Sequence, residues 1–299
     1  MDDITAECFC VAFIDILGQK EALRAFRNLS FDKPKEQLQQ EWARTYESTA
    51  GFIENLRNSF NNFFKSYTTE RPVPNSIPQD KVSLWRNLQQ TRKLNEYTFS
   101  DCIQYSVSLR DTGEYYSPVM NGLWGILMAY GGMALFALSQ GKALRGAIDI
   151  GLGTKLSSGE VYGSVSLDVY ELESKAAQYP RIVIGHGVID FLQRFVNKEN
   201  PSLASKIDND IEVCVGIKDH LLKMLAYDFD KVVILDYLGE TLRTSLTNTD
   251  AARKYFSALI NNAVKFIETE YAKHMNANRM ELSKKYGYLL NYFKKSGYK

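Results

Sequence analysis

Two runs of β-branched and aromatic residues, each broken by one aspartate, dominate the hydrophobic pattern: Cys10-Val-Ala-Phe-Ile-Asp-Ile-Leu-Gly-Gln-Lys20 and Tyr97-Thr-Phe-Ser-Asp-Cys-Ile-Gln-Tyr-Ser-Val107. The first predicts a strand over 8–16 that ends in a tight turn at Ile16-Leu17-Gly18. The second, split by Ser100-Asp101, predicts a hairpin over 97–108. Between them, apolar and aromatic positions recur at helical spacing over 35–67, as one long helix or two. Three prolines within 71–78 end that helix, and 80–95 shows an apolar helical face again.

Downstream, Pro118 opens an apolar helix ending near Gly141, and 144–153 alternates as a strand does. A helix over 166–178 and a strand over 181–185 follow. Short helices at 189–196 and 219–225, a strand at 231–237 and amphipathic helices over 251–277 and 281–293 complete the chain. The order β-αα-ββ-α-β-α-β predicts an α+β, ferredoxin-like core with a mixed, mainly antiparallel sheet and helices on one face. That core is expected over 1–195, with a helical insertion at about 30–95, and a mainly helical C-terminal extension over 196–299.

Composition narrows the function classes. With 36 Lys+Arg against 35 Asp+Glu in 299 residues, the net charge of +1 offers no general nucleic-acid or membrane surface. The acidic start, Met-Asp-Asp-Ile-Thr-Ala-Glu, is the wrong flank for a secretory signal, so a cytoplasmic protein is expected. The stretch 122–138 is 17 residues without a charge, short of a bilayer span and rich in glycine, and is expected to be a buried core helix. Cys8, Cys10, Cys102 and Cys214 form no metal-ligand pattern with His186, His220 or His274, which argues against zinc.

The two aspartates are different. A carboxylate inside an apolar strand costs free energy unless a positive charge meets it. Two such positions, Asp15 and Asp101, suggest a divalent metal gripped between a strand end and a hairpin tip, beside a turn whose backbone N–H groups suit an anion.

Phe13-Ile14-Asp15-Ile16-Leu17-Gly18 resembles the first metal motif of the class III nucleotidyl cyclases, and Phe99-Ser100-Asp101-Cys102-Ile103 resembles the second. Arg145, Ile148 and Gly151 fall close to a further family pattern, and Tyr162-Gly163 follows in the expected order. The resemblance covers about residues 8–190 and is narrower still to the pyrimidine cyclases of bacterial anti-phage defence. It implies two-metal cyclisation of UTP or CTP to the 3′,5′-cyclic mononucleotide, with Mn²⁺ or Mg²⁺ held by Asp15, Asp101 and the carbonyl of Ile16. The turn Ile16, Leu17 and Gly18 would hold the β- and γ-phosphates, and Ser100 is a candidate substrate contact.

The departures from the family matter too. Tyr97 and Glu160 stand where adenylyl cyclases carry a Lys/Asp pair and guanylyl cyclases a Glu/Cys pair, and the tyrosine ring takes up room a purine would need. Leu167 and Glu171 stand where the family has Asn and Arg. Lys175 or Arg145 is expected to supply the missing cation, the alternative for Lys175 being a surface ion pair with Glu171. The resemblance also implies a head-to-tail homodimer with composite sites, whose product acts on a separate cyclic-nucleotide-responsive effector. A purine cyclase and a catalytically degenerate nucleotide-binding module remain the rival expectations.

Overall fold

The structure is a computed structural model that describes residues 6–27, 29, 32–111, 113–194, 206 and 208–298, with 20, 21, 25 and 26 described by backbone alone. In chain order the elements are β1 (Glu7–Ile16), α1 (Gln19–Arg27), α2 (Lys35–Ser48), α3 (Ala50–Thr68), α4 (Val82–Gln89), β2 (Asn95–Phe99), β3 (Cys102–Ser108) and α5 (Ser117–Ser139). Then come β4 (Leu144–Lys155), β5 (Val161–Tyr162), α6 (Ser164–Glu171), a π-helical turn (Leu172–Ala176), β6 (Ile182–Ile184) and α7 (His186–Arg194). The chain continues through α8 (Asp208–Lys223), β7 (Leu225–Tyr227), β8 (Val233–Leu235), α9 (Glu240–Leu246), α10 (Asp250–Asn276) and α11 (Met280–Lys295).

The eight strands form one sheet in the order β2-β3-β1-β4-β6-β8-β7, with β5 paired to β4. Among the described residues only β4 and β6 run parallel; every other pairing is antiparallel. The class is therefore α+β with a mixed, mainly antiparallel sheet. Alternation along β1 assigns its two sides. Cys10, Ala12, Ile14 and Ile16 enter the large core beneath α5, while Phe9 and Val11 enter a smaller one under α6.

Helix α5 is apolar all round because it is buried all round. Among the described residues it is the one helix long and apolar enough to cross a membrane, and 83% of its apolar window is buried inside the protein. Its glycines admit close neighbours: a Cβ on Gly125 would meet Phe64 and Thr68, and one on Gly131 would meet Leu242. Asp210 of α8, wholly buried, accepts the backbone N–H groups of Tyr116 and Ser117 at 2.6 and 2.9 Å, and so satisfies the start of α5 from the far end of the chain.

Several elements depart from the sequence pattern. The stretch expected as one long helix or two is two, α2 and α3, meeting at Thr49, whereas the helix expected over 80–95 stops at Gln89. Helices α1, α9 and the first half of α8 had no expected counterpart. Strands β7 and β8 extend the main sheet through β6, and α10 and α11 share the large core, so the C-terminal segment is built into the same body. The boundary expected at 195/196, and the end of the helix expected over 189–196, lie outside the described residues.

Candidate active site

Asp15 is the penultimate residue of β1, and the register sets it between Cys102 of β3 and Arg145 of β4. It follows Phe9, Val11 and Phe13 on the side that α6 covers, while Ile14 and Ile16 anchor the strand from the other side. Asp101 lies in the two-residue turn joining β2 to β3, where the ladder closes on Phe99 and Cys102. Ser100, the first turn residue, is exposed and has φ 57°, a conformation that hairpin turns usually give to glycine. The consequence is convergence: ligand atoms of Asp15, Asp101 and Cys102 all lie within 4.8 Å of one another.

Arg145 is the local counter-ion. Its Nε lies 2.7 Å from Asp15 Oδ2 and 2.5 Å from Glu173 Oε1. Glu173 comes from the π-helical turn, which carries it inward while leaving Lys175 at the surface, ion-paired to Glu171 at 2.9 Å. Burial pushes the Glu173 carboxyl above the usual carboxylate range, with Arg145 opposing the shift and Asp15 adding to it. Burial, then the charges of Asp15, Asp101 and Glu173, push the Cys102 thiol up to about 12. The carboxylate oxygens of Asp15 and Asp101 are hard donors, which fit a divalent ion such as Mg²⁺ or Mn²⁺.

A cavity of about 520 Å³ opens on these aspartates and on Ile16, Leu17 and Gly18. The Leu17 N–H donates to the Ala143 carbonyl at 3.0 Å and is committed to the sheet. Gly18, at φ 84°, and the first turn of α1 supply the amides that no helical carbonyl can reach. Gln19 opens α1 beneath the cavity with its side chain buried, and neither amide atom has a partner among the described residues. The opposite wall comes from the C-terminal helices: Glu270, Lys273 and His274 of α10, and Lys285 and Tyr286 of α11. Burial, then Arg145, hold the Lys285 ammonium below its usual range, against the opposing pull of Asp15, Glu281 and Glu173.

Tyr97 and Glu160 also meet, though away from that cavity. The Tyr97 hydroxyl donates to the Glu160 carboxylate, and this bond, followed by the carboxylate charge, raises the phenol above its ordinary range. Gln104, opposite Tyr97 in the hairpin, donates to Ser166 of α6 at 3.2 Å and ties the same corner together.

Sequence reasoning thus names the pairs Asp15/Asp101 and Tyr97/Glu160, each of which the fold brings together. It passed over Gln19, Lys142, Glu173, Lys273, His274 and Lys285. Glu173 carried a signal, since Leu172-Glu173-Ser174 resembles the end of the same class III cyclase motif from which Leu167 and Glu171 depart. The lysines carried none.

No protein-family model matches the sequence, and no curated protein matches it. Among solved structures the chain is similar to the adenylyl cyclase CyaB from P. aeruginosa, with 15% identity and a TM-score of 0.39 over 64% of this chain and 83% of that one. It is also similar to a bacterial light-regulated adenylyl cyclase, with 10% identity and a TM-score of 0.34 over 62% of this chain and 80% of that one.

Proposed function

We propose that this chain is a class III-type nucleotidyl cyclase that converts a pyrimidine nucleoside triphosphate, UTP ahead of CTP, into the 3′,5′-cyclic mononucleotide and pyrophosphate. One observation carries the reading: Asp15 and Asp101, 86 positions apart in sequence, present their carboxylates within 4.8 Å of each other on a cavity of about 520 Å³ floored by the Gly18 turn. Divalent cations held by these carboxylates, Mn²⁺ or Mg²⁺, would lower the barrier to attack of the ribose 3′-hydroxyl on the α-phosphorus and to departure of pyrophosphate. Arg145 orients Asp15 through their ion pair and is itself held by Glu173. Gly18 and the first amides of α1 receive phosphate oxygens.

Tyr97 and Glu160 read the base. Together they present a hydroxyl and a carboxylate to its edge, and the phenol ring shortens the pocket to pyrimidine size. Because the pair stands outside the aspartate cavity, a head-to-tail homodimer completes each site from two chains. Exposed Phe99, Leu152, Tyr162, Leu167 and Tyr170, on the elements around Tyr97 and Glu160, supply the apolar surface for a second copy. The cyclic product is then a cytoplasmic second messenger for anti-phage defence, acting on a separate effector.

The test is to incubate the protein with Mn²⁺ and each of the four ribonucleoside triphosphates and to identify products by mass spectrometry. Cyclic UMP or cyclic CMP, absent in Asp15→Asn and Asp101→Asn, is the expected result. A purine cyclic nucleotide alone overturns the specificity, and no cyclic product overturns the activity. In that last case the nucleotide-binding module takes precedence, a second reading favoured by Leu167 and Glu171 at the family's Asn and Arg positions.

A further inference from the structure

The cavity is lined by three carboxylates, Asp15, Asp101 and Glu270, and four cations, Lys142, Arg145, Lys273 and Lys285. Their pairings are uneven. Arg145 serves Asp15 and Glu173, while Lys273 and His274 Nε2 both reach Glu270, at 2.8 and 3.1 Å. Lys142 and Lys285 make no ion pair among the described residues; the Lys142 ammonium lies over the Phe52 ring, 5.9 Å from its centroid. Two part-buried ammonium groups that form no ion pair suit an anion that arrives from outside.

Two buried polar side chains point the same way. Gln19 is 1% exposed with both amide atoms unpartnered, and His274 is 5% exposed with Nδ1 unpartnered among the described residues. Buried polar atoms without partners are uncommon, and here both residues line one cavity. A polyphosphate satisfies the donors of this set, the Gln19 amide N–H groups among them. Its oxygens accept from the Gln19 amide, the amides of Gly18 and α1, and both ammonium groups, and its charge balances the divalent ions that the aspartates attract.

We propose that Lys285 of α11, together with Lys142 in the turn before β4, binds the polyphosphate tail of the substrate, so that the C-terminal extension forms the cationic wall of the active site within one chain. This rests on the cavity being a nucleoside triphosphate site. As O3′ bonds to the α-phosphorus and its hydroxyl proton passes to water, the electron pair of the breaking P–O bond moves onto pyrophosphate. Lys285 faces that growing charge and takes the place of the arginine missing at Glu171.

The experiment titrates magnesium tripolyphosphate, which has no base and cannot be cyclised, into wild type, Lys285→Met, Lys285→Arg, Lys142→Met and Lys294→Met, the last an exposed lysine on the same helix. Calorimetry should show affinity about tenfold or more weaker in Lys285→Met and Lys142→Met, largely kept in Lys285→Arg and unchanged in Lys294→Met, with melting temperatures showing that all are folded. Undiminished binding by Lys285→Met, or no binding by wild type, overturns the proposal. A chain that makes a cyclic nucleotide at the wild-type rate after Lys285→Met keeps the cyclase reading and loses this one. A chain that binds tripolyphosphate through Lys285 yet cyclises no triphosphate keeps this one and loses the other.

Discussion

Arg145 links the buried Glu173 to the strand-end Asp15, and replacing it with methionine should be among the costliest changes available outside the core. The guanidinium group is about one-quarter exposed and Glu173 only 4%, so removing Arg145 strands a carboxylate that water scarcely reaches. Breaking a buried pair from one side costs about 3–5 kcal/mol, and the partial exposure of Arg145 places the expected loss near the lower end. For a chain of this size that is a fall in melting temperature of roughly 6–12 °C. Glu173→Gln alone keeps an acceptor for Arg145 and should cost about 1 kcal/mol or less. Arg145→Met/Glu173→Gln should therefore recover about 2 kcal/mol of the Arg145→Met loss, a coupling that urea unfolding of the four proteins measures directly. Acidity adds a second check. Because the folded-state value of Glu173 is raised, its contribution is fully present below the ordinary glutamate value and is lost as pH rises through the folded value. Removing Arg145 takes away the largest influence opposing that rise, so the deficit of Arg145→Met should widen from pH 4 to pH 8. A deficit that is flat with pH and untouched by Glu173→Gln would refute the account.

Four further outcomes follow from the same geometry. Mn²⁺ should raise the melting temperature of wild type, whereas Asp101→Asn should abolish that shift and leave the metal-free melting temperature within about 2 °C, as for a surface change near ±0.5 kcal/mol. With every cysteine thiol held above its ordinary range, iodoacetamide at pH 8 should leave Cys102 unmodified in the folded protein, as read by peptide mass spectrometry. Gly146→Ala should fail to fold, or lose more than about 4 kcal/mol, because its Cβ would fall 1.7 Å from the Tyr130 hydroxyl, which donates to the Phe13 carbonyl. On the proposed cyclase activity and head-to-tail dimer, Asp101→Asn and Glu160→Gln, each inactive alone, should together recover up to roughly a quarter of the wild-type rate, since a mixed dimer keeps one intact site; no recovery in a mixture shown to exchange subunits would place both halves of the site in one chain.

What the sequence disclosed and what it withheld divide along a physical line. Asp15 was legible because a charge in an apolar strand contradicts its surroundings and strand periodicity fixes the side on which it emerges, and Asp101 because with Ser100 it breaks two apolar runs as a hairpin tip does. Helix α1 was not: nine residues, most of them polar, follow the strand after a two-residue turn, and no cap marks the start. Helix α8 was half visible, because a weak apolar stripe with Gly216 near its middle resembles a loop until α5 packs against it. Strand β8 was seen as a strand, yet nothing local reveals that Ile234 pairs with Val183 and so draws the C-terminal segment into the main sheet. Lys285 is the extreme case. On an exposed amphipathic helix one lysine is like another, and this one differs only because α11, packed on α10, faces the end of β1. Chemistry that conflicts with its local element can be read from one dimension; chemistry created by packing distant elements together cannot. By that logic the C-terminal extension passes for mere support in the sequence, while in space it closes a cavity on which both aspartates open.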